Sequence, residues 1–369
     1  MIGHSGRRGV LVLGLWAALG SGAAAQAGDT LAADERVVLF PTCAVPLSGG
    51  GWRVPVHGWI FEPEHDSSTR LLALDAFAEA LELPPEDALA NALFQERAWP
   101  FLVDNERGKA LAVVIGEQPA VLAESLPSGH VHDSVMLPAA DGEPDRVGPG
   151  RWIDVALASP DGLGTRDGTQ ALLLPPEGVS VLSDIDDTVK LSEVREQRAL
   201  LERTFLRPHE AVDGAAARYR AWERAGASFH YVSGSPWQLH ATLSAFLQTA
   251  GFPRGTLHLR EFRWKERSAL SMFGEAAAAK RPELEAWLAA HPQRRVVLVG
   301  DSGEQDPELY AALARAHPGR VLLIAIRDVS GEDRGSPRYV EAFRDLPDAL
   351  WLIWTRPEVI PPLEFETAR

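Results

Sequence analysis

This chain of 369 residues is shortest of cysteine and lysine. Its one cysteine, Cys43, excludes an intramolecular disulfide. No lipobox-like apolar triplet precedes Cys43, which excludes a lipoprotein anchor there. The only lysines are Lys109, Lys190, Lys265 and Lys280, so any chemistry needing an ammonium has few candidates. Positive charge is scarce overall, with 36 Lys+Arg against 51 Asp+Glu and a net charge of −15 at pH 7. That balance argues against non-specific nucleic-acid binding and gives no general attraction to anionic membranes. The apolar run Val10–Leu19 is short for a membrane span, which takes about 20 residues.

That run follows Arg7 and Arg8 and precedes SGAAAQA. A positive segment, a short apolar core and an A-x-A site (Ala23–Ala25 or Ala25–Ala27) describe a cleavable signal peptide over residues 1–27. The expectation is an exported, periplasmic protein, with an uncleaved anchor as the alternative. Cleavage would remove Arg7 and Arg8 and so take the net charge from −15 to −17. Length and a 46% hydrophobic content suggest a folded chain of two domains, 28–175 and 176–369.

Residues 28–175 read as a β-rich, sandwich-like accessory domain. Seven strands are expected, at Val37–Phe40, Trp52–Ile60, Lys109–Ile115, Ala120–Glu124, His130–Leu137, Trp152–Ser159 and Gln170–Leu174. Trp52, Val54 and Val56 alternate as in a half-buried strand. Helical spacing marks Arg70–Leu83 and Glu86–Gln95, separated by Pro84-Pro85. Residues 139–150 are rich in Gly, Pro and charge and read as a surface loop. His57 and His65 are isolated histidines, which are more often structural or solvated than ligands. No catalytic constellation stands out in this half.

From Pro175 onward strands alternate with helices, the pattern of βαβ units and a doubly wound parallel sheet. Strands are expected at Val179–Leu182, Ser228–Ser233, Gly255–Arg260, Val296–Gly300, Val321–Ile326 and Leu350–Trp354. Between them come helical stretches at Ser192–Arg203, Gly214–Arg224 (with Asp213 as its cap) and Pro282–Ala290. The first strand stops at Asp184, and Asp186 and Asp187 follow. Carboxylates crowded at the end of a buried strand repel one another and resist desolvation, so the arrangement asks for a divalent cation. A calcium-binding EF-hand is not the answer, because Val189-Lys190-Leu191 lacks its glycine and distal glutamate.

The pattern Asp-x-Asp-x-Thr (Asp184, Asp186, Thr188) after an apolar strand resembles the first motif of the haloacid dehalogenase superfamily of phosphotransferases. The resemblance continues in order along the chain. Ser233 with Gly234 is similar to the second motif, and Gly300, Asp301 and Asp306 to the fourth. The third motif is a lysine before the helix that leads into the fourth strand, for which Lys280 is the choice and Lys265 the reserve. The segments SDIDDTVKLSEV, FHYVSGSPWQL, GFPRGTLHLR and LVGDSGEQDPELY further resemble the phosphatidate phosphatase family of the fungal actin-patch protein and its bacterial relatives, over roughly residues 176–330.

What the resemblance implies is Mg2+-dependent hydrolysis of phosphatidate or a related phosphomonoester. Asp184 would be the nucleophile, forming an aspartyl-phosphate, and Asp186 the general acid and then base. Thr188 would orient Asp186 or buttress the loop, while Ser233, Gly234 and Lys280 would hold phosphoryl oxygens. The metal ligands would be Asp184, Asp301, Asp306 and the carbonyl of Asp186. Asp187 is left as a local cap. The alternatives are a phosphatase of soluble phosphomonoesters and a non-catalytic lipid-binding module on the same fold. GDSG at Gly300–Gly303 matches the protease nucleophile pattern, but Glu304 follows and no histidine context precedes it, so Ser302 is not a nucleophile.

An acidic chain approaching an anionic lipid needs a local exception. The segment Arg254–Arg267 has Arg254, Arg260, Arg263, Lys265 and Arg267 against Glu261 and Glu266, with Phe262 and Trp264 between them. It is the candidate for docking a membrane surface, set against the plain reading of a solvated loop.

Overall fold

Val179–Ser183 (β10) is a run of five buried residues, and it lies at the centre of a six-stranded sheet. A strand buried on both faces has a helix layer on each side, and here every neighbouring pair is parallel. Its partners are Ser228–Pro236 (β11), Gly255–Arg260 (β12), Arg295–Asp301 (β13), Val321–Arg327 (β14) and Trp351–Trp354 (β15). The order β12-β11-β10-β13-β14-β15 is 3-2-1-4-5-6 in chain sequence, the doubly wound order. It reverses between β10 and β13, and there the carboxyl ends of two buried strands diverge to leave a crevice. The computed structural model describes residues 31–63, 67–138, 147–158, 168–262 and 276–363. The proposed signal peptide, His65, most of the 139–150 loop and Lys265 lie outside them. No helix among the described residues is long and apolar enough to cross a membrane.

The connecting helices are Gln197–Phe205 (α4), Ala215–Arg224 (α5), His240–Thr249 (α6), Ala276–Ala290 (α7), Asp306–Ala316 (α8) and Pro337–Ala342 (α9). Three of them depart from the sequence expectation. Helix α4 starts at Gln197 rather than Ser192, because Glu193 takes a left-handed backbone (φ +59°) and Glu196 an extended one, so the turn whose N–H groups at Ser192, Glu193 and Val194 are capped by the Asp187 carboxylate does not run on as a helix. Asp213 does not cap α5; Gly214 occupies the N-cap with φ +75°, a left-handed conformation that favours glycine, and no side chain caps it. Pro282 does not begin α7 but lies inside it, with Lys280 in the helix ahead of it.

Among the described residues the amino-terminal half contributes nine strands: Arg36–Phe40 (β1), Thr42–Pro46 (β2), Trp52–Glu62 (β3), Asp104–Asn105 (β4), Ala112–Ile115 (β5), Gln118–Val121 (β6), His130–Leu137 (β7), Arg151–Leu157 (β8) and Gly168–Leu173 (β9). All seven expected strands are present. Strands β2 and β4 were missed: prolines flank the first, and the second is two residues long. The longest pairing is β3 with β7, antiparallel from Trp52↔Leu137 to Trp59↔His130. Between β3 and β4 lie Ser67–Ala80 (α1), Pro85–Ala90 (α2) and Ala92–Ala98 (α3). The single helix expected over Glu86–Gln95 is broken at Asn91. Its backbone is extended there, and its side chain accepts from Leu93 N and Phe94 N to start α3.

The two halves share one apolar core. Phe77 and Phe101 of the helical insertion meet Phe205 at the end of α4, with ring centroids 5.7 and 5.9 Å apart. The insertion also caps that helix. Arg97 Nη1 donates to Thr204 O and Arg207 O, both at 2.7 Å, and Asn91 Nδ2 donates to Leu206 O at 2.8 Å. Carbonyls at a helix end lack intrahelical partners, so these donors fill a need α4 cannot meet itself.

A second tie lies where the halves join. Arg294 is fully buried, and its guanidinium donates to the carbonyls of Pro175, Glu177, Val179 and Gly148 and to the hydroxyls of Ser180 and Ser228. Burial lowers its pKa from 12.5 to about 10, which leaves it charged at neutral pH. Arg294→Leu should strand several buried acceptors and cost on the order of 3 kcal/mol or more. Urea unfolding monitored by tryptophan fluorescence reads this directly, and a cost below about 0.5 kcal/mol would contradict the role.

Candidate active site

Register brings the first carboxylates together. Ser183 of β10 pairs with Val299 of β13, and Asp184 N donates to Val299 O at 2.8 Å. Asp184 thus leaves the sheet beside Gly300-Asp301, at the point where the strand order reverses. Asp306, the first residue of α8, turns back so that its Oδ2 accepts from Asp301 N at 3.3 Å. Gly300 is what permits this: a Cβ there would lie 2.3 Å from Asp306 Oδ2 and 2.7 Å from the Tyr310 ring. Asp184, Asp301 and Asp306 are each at most 1% exposed.

Lys280 reaches in from α7 and binds three of the acids. Its Nζ is 2.7 Å from Asp184 Oδ1, 2.6 Å from Glu304 Oε2 and 3.0 Å from Asp306 Oδ1. One oxygen from each of these three carboxylates lies within 4.8 Å of the other two. Two unit charges 4 Å apart repel by about 4 kcal/mol at an effective dielectric of about 20, so the ammonium offsets a penalty of that order for each pair. Burial works against the Lys280 charge, but Asp184, Asp306 and Glu304 outweigh it and hold its pKa well above the usual lysine range.

Four acids against one lysine still leave an excess of negative charge. Burial raises the pKa of Asp184 well above the carboxylate range; Lys280 opposes the shift, while Asp306, Asp301 and Glu304 add to it. Asp301 is raised by burial and by Asp306. Asp184 Oδ2 and Asp301 Oδ2 have no hydrogen-bond partner, although both are buried. Orphaned carboxylate oxygens with unspent negative charge suit a hard divalent cation, so these residues fit the metal that the sequence pattern asked for. Glu304, absent from the sequence expectation, belongs to the same acidic group.

The loop after β10 separates the two remaining aspartates into different tasks. Asp187, with φ +54°, accepts from the N–H groups of Ser192, Glu193 and Val194, and its carbonyl accepts from Arg327 Nη1 at 2.6 Å. It is a turn cap. Asp186 faces the other way. Its Oδ1 is 2.7 Å from Lys190 Nζ and 2.8 Å from Ser192 Oγ, while Oδ2 accepts from Ser233 Oγ at 3.0 Å and Ser235 Oγ at 3.3 Å. Burial alone would raise the Asp186 pKa, but the Lys190 charge and the hydrogen bonds from Lys190, Ser192 and Ser233 hold it well below the carboxylate range. A group so held is ionised in the resting protein, so the expected order of acid first and base second requires Asp186 to take up a proton before its first step.

The other predicted residues are nearby. Ser233 Oγ also accepts from Ser235 N, and Gly234 and Ser235 line a narrow opening with Asp184, Asp186 and Glu304. Val194 and Leu200 form the apolar side of that opening. Thr188 is fully buried with no hydrogen-bond partner for Oγ1, so it does not orient Asp186 by a hydrogen bond and is placed to buttress the loop. Ser302 Oγ accepts from Val329 N and Ser330 N, tying two loops together. Lys190, Ser192, Ser235 and Glu304 were missed. Lys190 did carry a signal, as one of four lysines and four residues from Asp186. Of the proposed docking segment, Arg254 stacks on Trp152 at 3.9 Å and Phe262 is buried. Arg263, Trp264, Lys265 and Arg267 lie outside the described residues.

Residues 179–328 match the family described as phosphatidate phosphatase APP1, catalytic domain. The chain is 38% identical over 164 residues to an uncharacterized protein of Schizosaccharomyces pombe, covering 43% of this chain and 27% of that protein. It is 31% identical over 170 residues to phosphatidate phosphatase APP1 of Saccharomyces cerevisiae, covering 45% of this chain and 28% of that protein. The parallel-sheet half thus includes a stretch similar to the catalytic domain of phosphatidate phosphatases, the likeness its motifs indicated. The match spans little more than a quarter of the length of these relatives.

The Asp186–Lys190 pair yields a prediction of its own. In Lys190→Met the Asp186 carboxyl keeps its burial and loses its cation, so its pKa rises. If Asp186 must be ionised to act, the acid limb of the pH–rate profile should move to higher pH by about one unit or more. An unmoved acid limb in a folded variant would remove Asp186 from the rate-determining proton transfer.

Proposed function

We propose that this chain is a Mg2+-dependent phosphatase of phosphatidate or a related phosphomonoester, working through an aspartyl-phosphate on Asp184. The reading includes a haloacid dehalogenase-like fold for residues 176–369, a sandwich-like accessory domain at 28–175, and export guided by residues 1–27. The observation that carries it is Asp184, a buried carboxylate with a free oxygen at the switch point of a doubly wound sheet, inside the segment matched by the phosphatase family.

A phosphomonoester is a dianion, and its hydrolysis is slow without charge neutralisation and positioning. Asp184, Asp301 and the Asp186 carbonyl would hold the metal, with Asp306 behind them. When bound, the metal supplies charge neutralisation to nucleophile and phosphoryl group alike. Asp184 Oδ2 attacks phosphorus in line while Lys280 fixes Oδ1 and aims the carboxylate. Gly234 and Ser235 border the opening and, with Ser233 Oγ beside Asp186, would meet the phosphoryl oxygens. Asp186, kept ionised by Lys190, takes a proton from the water that cleaves the aspartyl-phosphate. The leaving alkoxide of the first step is protonated there only if Asp186 has first gained a proton against the pull of Lys190. Because Asp184, Asp186 and Asp301 are all present and assembled, catalysis is favoured over the alternative of a non-catalytic lipid-binding module.

Phosphate release from phosphatidate in mixed micelles, beside a soluble chromogenic ester and with or without Mg2+, tests the proposal. Asp184→Asn should lower turnover by about a thousand-fold or more on both substrates while the circular dichroism stays native. Substantial turnover by that folded variant would end the covalent mechanism. Asp186→Asn should slow turnover yet keep Mg2+ affinity, whereas Asp301→Asn should weaken it. Equal losses of affinity would mean that the carbonyl of Asp186 is not its only link to the metal.

A further inference from the structure

Three histidines converge far along the chain from the acidic cleft. Antiparallel register sets His57 of β3 opposite His132 of β7, and His130 is two residues from His132 on the same strand face. The three imidazoles therefore share one face of the β3–β7 ribbon. His57 Nε2 and His130 Nδ1 are 2.8 Å apart, and one ring nitrogen of each of the three lies within 4.8 Å of the other two. The His57 and His132 rings stack with centroids 4.2 Å apart. Trp237 and Phe40 pack on His57 at 4.4 and 4.6 Å and dry the inner side. The outer side is open: the His132 side chain is 47% exposed, which gives an ion a way in. A carboxylate from the other sheet completes the group, because Glu261, just after β12, places Oε1 2.6 Å from His132 Nε2 and is itself braced by Ser128 Oγ at 3.0 Å.

We propose that His57, His130 and His132, with Glu261 beside them, form a binding site for a zinc-class divalent cation that joins the amino-terminal strands to the parallel sheet. Imidazole nitrogens suit Zn2+ and its transition-metal neighbours, whereas Mg2+ takes oxygen ligands and holds its water firmly. The histidine and acidic groups thus sort two kinds of metal by ligand chemistry. Three protein ligands on zinc leave a fourth position, which the half-exposed mouth supplies to water or to Glu261. A carboxylate against a ligating imidazole fixes its tautomer and raises its basicity, and Glu261 is placed for that task. Because the three histidines are on β3 and β7 and the carboxylate follows β12, occupancy would brace one sheet against the other.

The experiment uses the full chain, stripped with a chelator and titrated with ZnCl2 by calorimetry in millimolar MgCl2, which occupies the acidic cleft. The expected result is one zinc per chain and a rise in melting temperature on binding. His132→Ala, at a half-exposed position, should weaken zinc at least tenfold without unfolding the protein. Glu261→Gln should weaken it about tenfold, the range for a residue that orients a ligand. Asp301→Asn should leave the zinc isotherm unchanged. The proposal is overturned if the wild-type chain takes up no zinc above Mg2+. It is equally overturned if His132→Ala binds as tightly as wild type, or if Asp301→Asn abolishes binding and so places the zinc in the acidic cleft.

Discussion

Like charges held in a dry place are the constraint on which this structure turns. Asp184, Asp301, Asp306 and Glu304 gather at the end of two adjacent buried strands, and Lys280 alone among the described lysines enters their midst. Several otherwise unrelated features serve that gathering. Gly300 gives Asp306 room; α8 presents its amino end to Asp306, where the helix dipole favours a carboxylate; and Arg338 grips the carbonyls of Ser302 and Glu304 to hold the intervening turn. The charge left over is what makes a cation the natural complement of the site.

The second ammonium plays an opposite part. Lys190 bonds to one carboxylate rather than several, and with Ser192 and Ser233 it gives Asp186 a full set of partners. The loop after β10 therefore holds both Asp184, whose ionised form is disfavoured, and Asp186, whose ionised form is favoured. Two carboxyls of one residue type, two positions apart, acquire different chemistry from their surroundings alone.

Much of this was legible in the sequence because it is written in local patterns. The strand ends at Asp184 and Asp301 follow from apolar runs that stop at polar residues, although β11 runs past Ser233 to Pro236, and alternation of strands with helices predicts the parallel sheet. Lys280 could be named because lysine is rare and the resemblance requires one before the fourth strand, although its helix begins earlier than Pro282 suggested. What was not legible depends on distance in the chain. Glu304 looked like one more surface acid until Lys280, 24 residues away, met it, and His57 looked isolated because its partners are 73 and 75 positions on. The start of α4 lies later than its apolar period suggests because Glu193 takes a left-handed backbone inside the turn that Asp187 caps, and nothing in the period of Ser192–Arg203 announces that turn.

The aromatic seam of Phe77, Phe101 and Phe205 bears on how the chain must be made and handled. A fragment beginning near Pro175 would retain every acid and both site lysines, yet it would present Phe205, Trp237 and Phe262 to water as a fresh apolar scar and leave the last carbonyls of α4 without Arg97 and Asn91. During synthesis the amino-terminal strands emerge first and must wait, with their own half of the seam uncovered, for the parallel sheet to arrive. Architecture changes at that proline, but one apolar cluster runs across it, so a cut there opens packed surface on both sides.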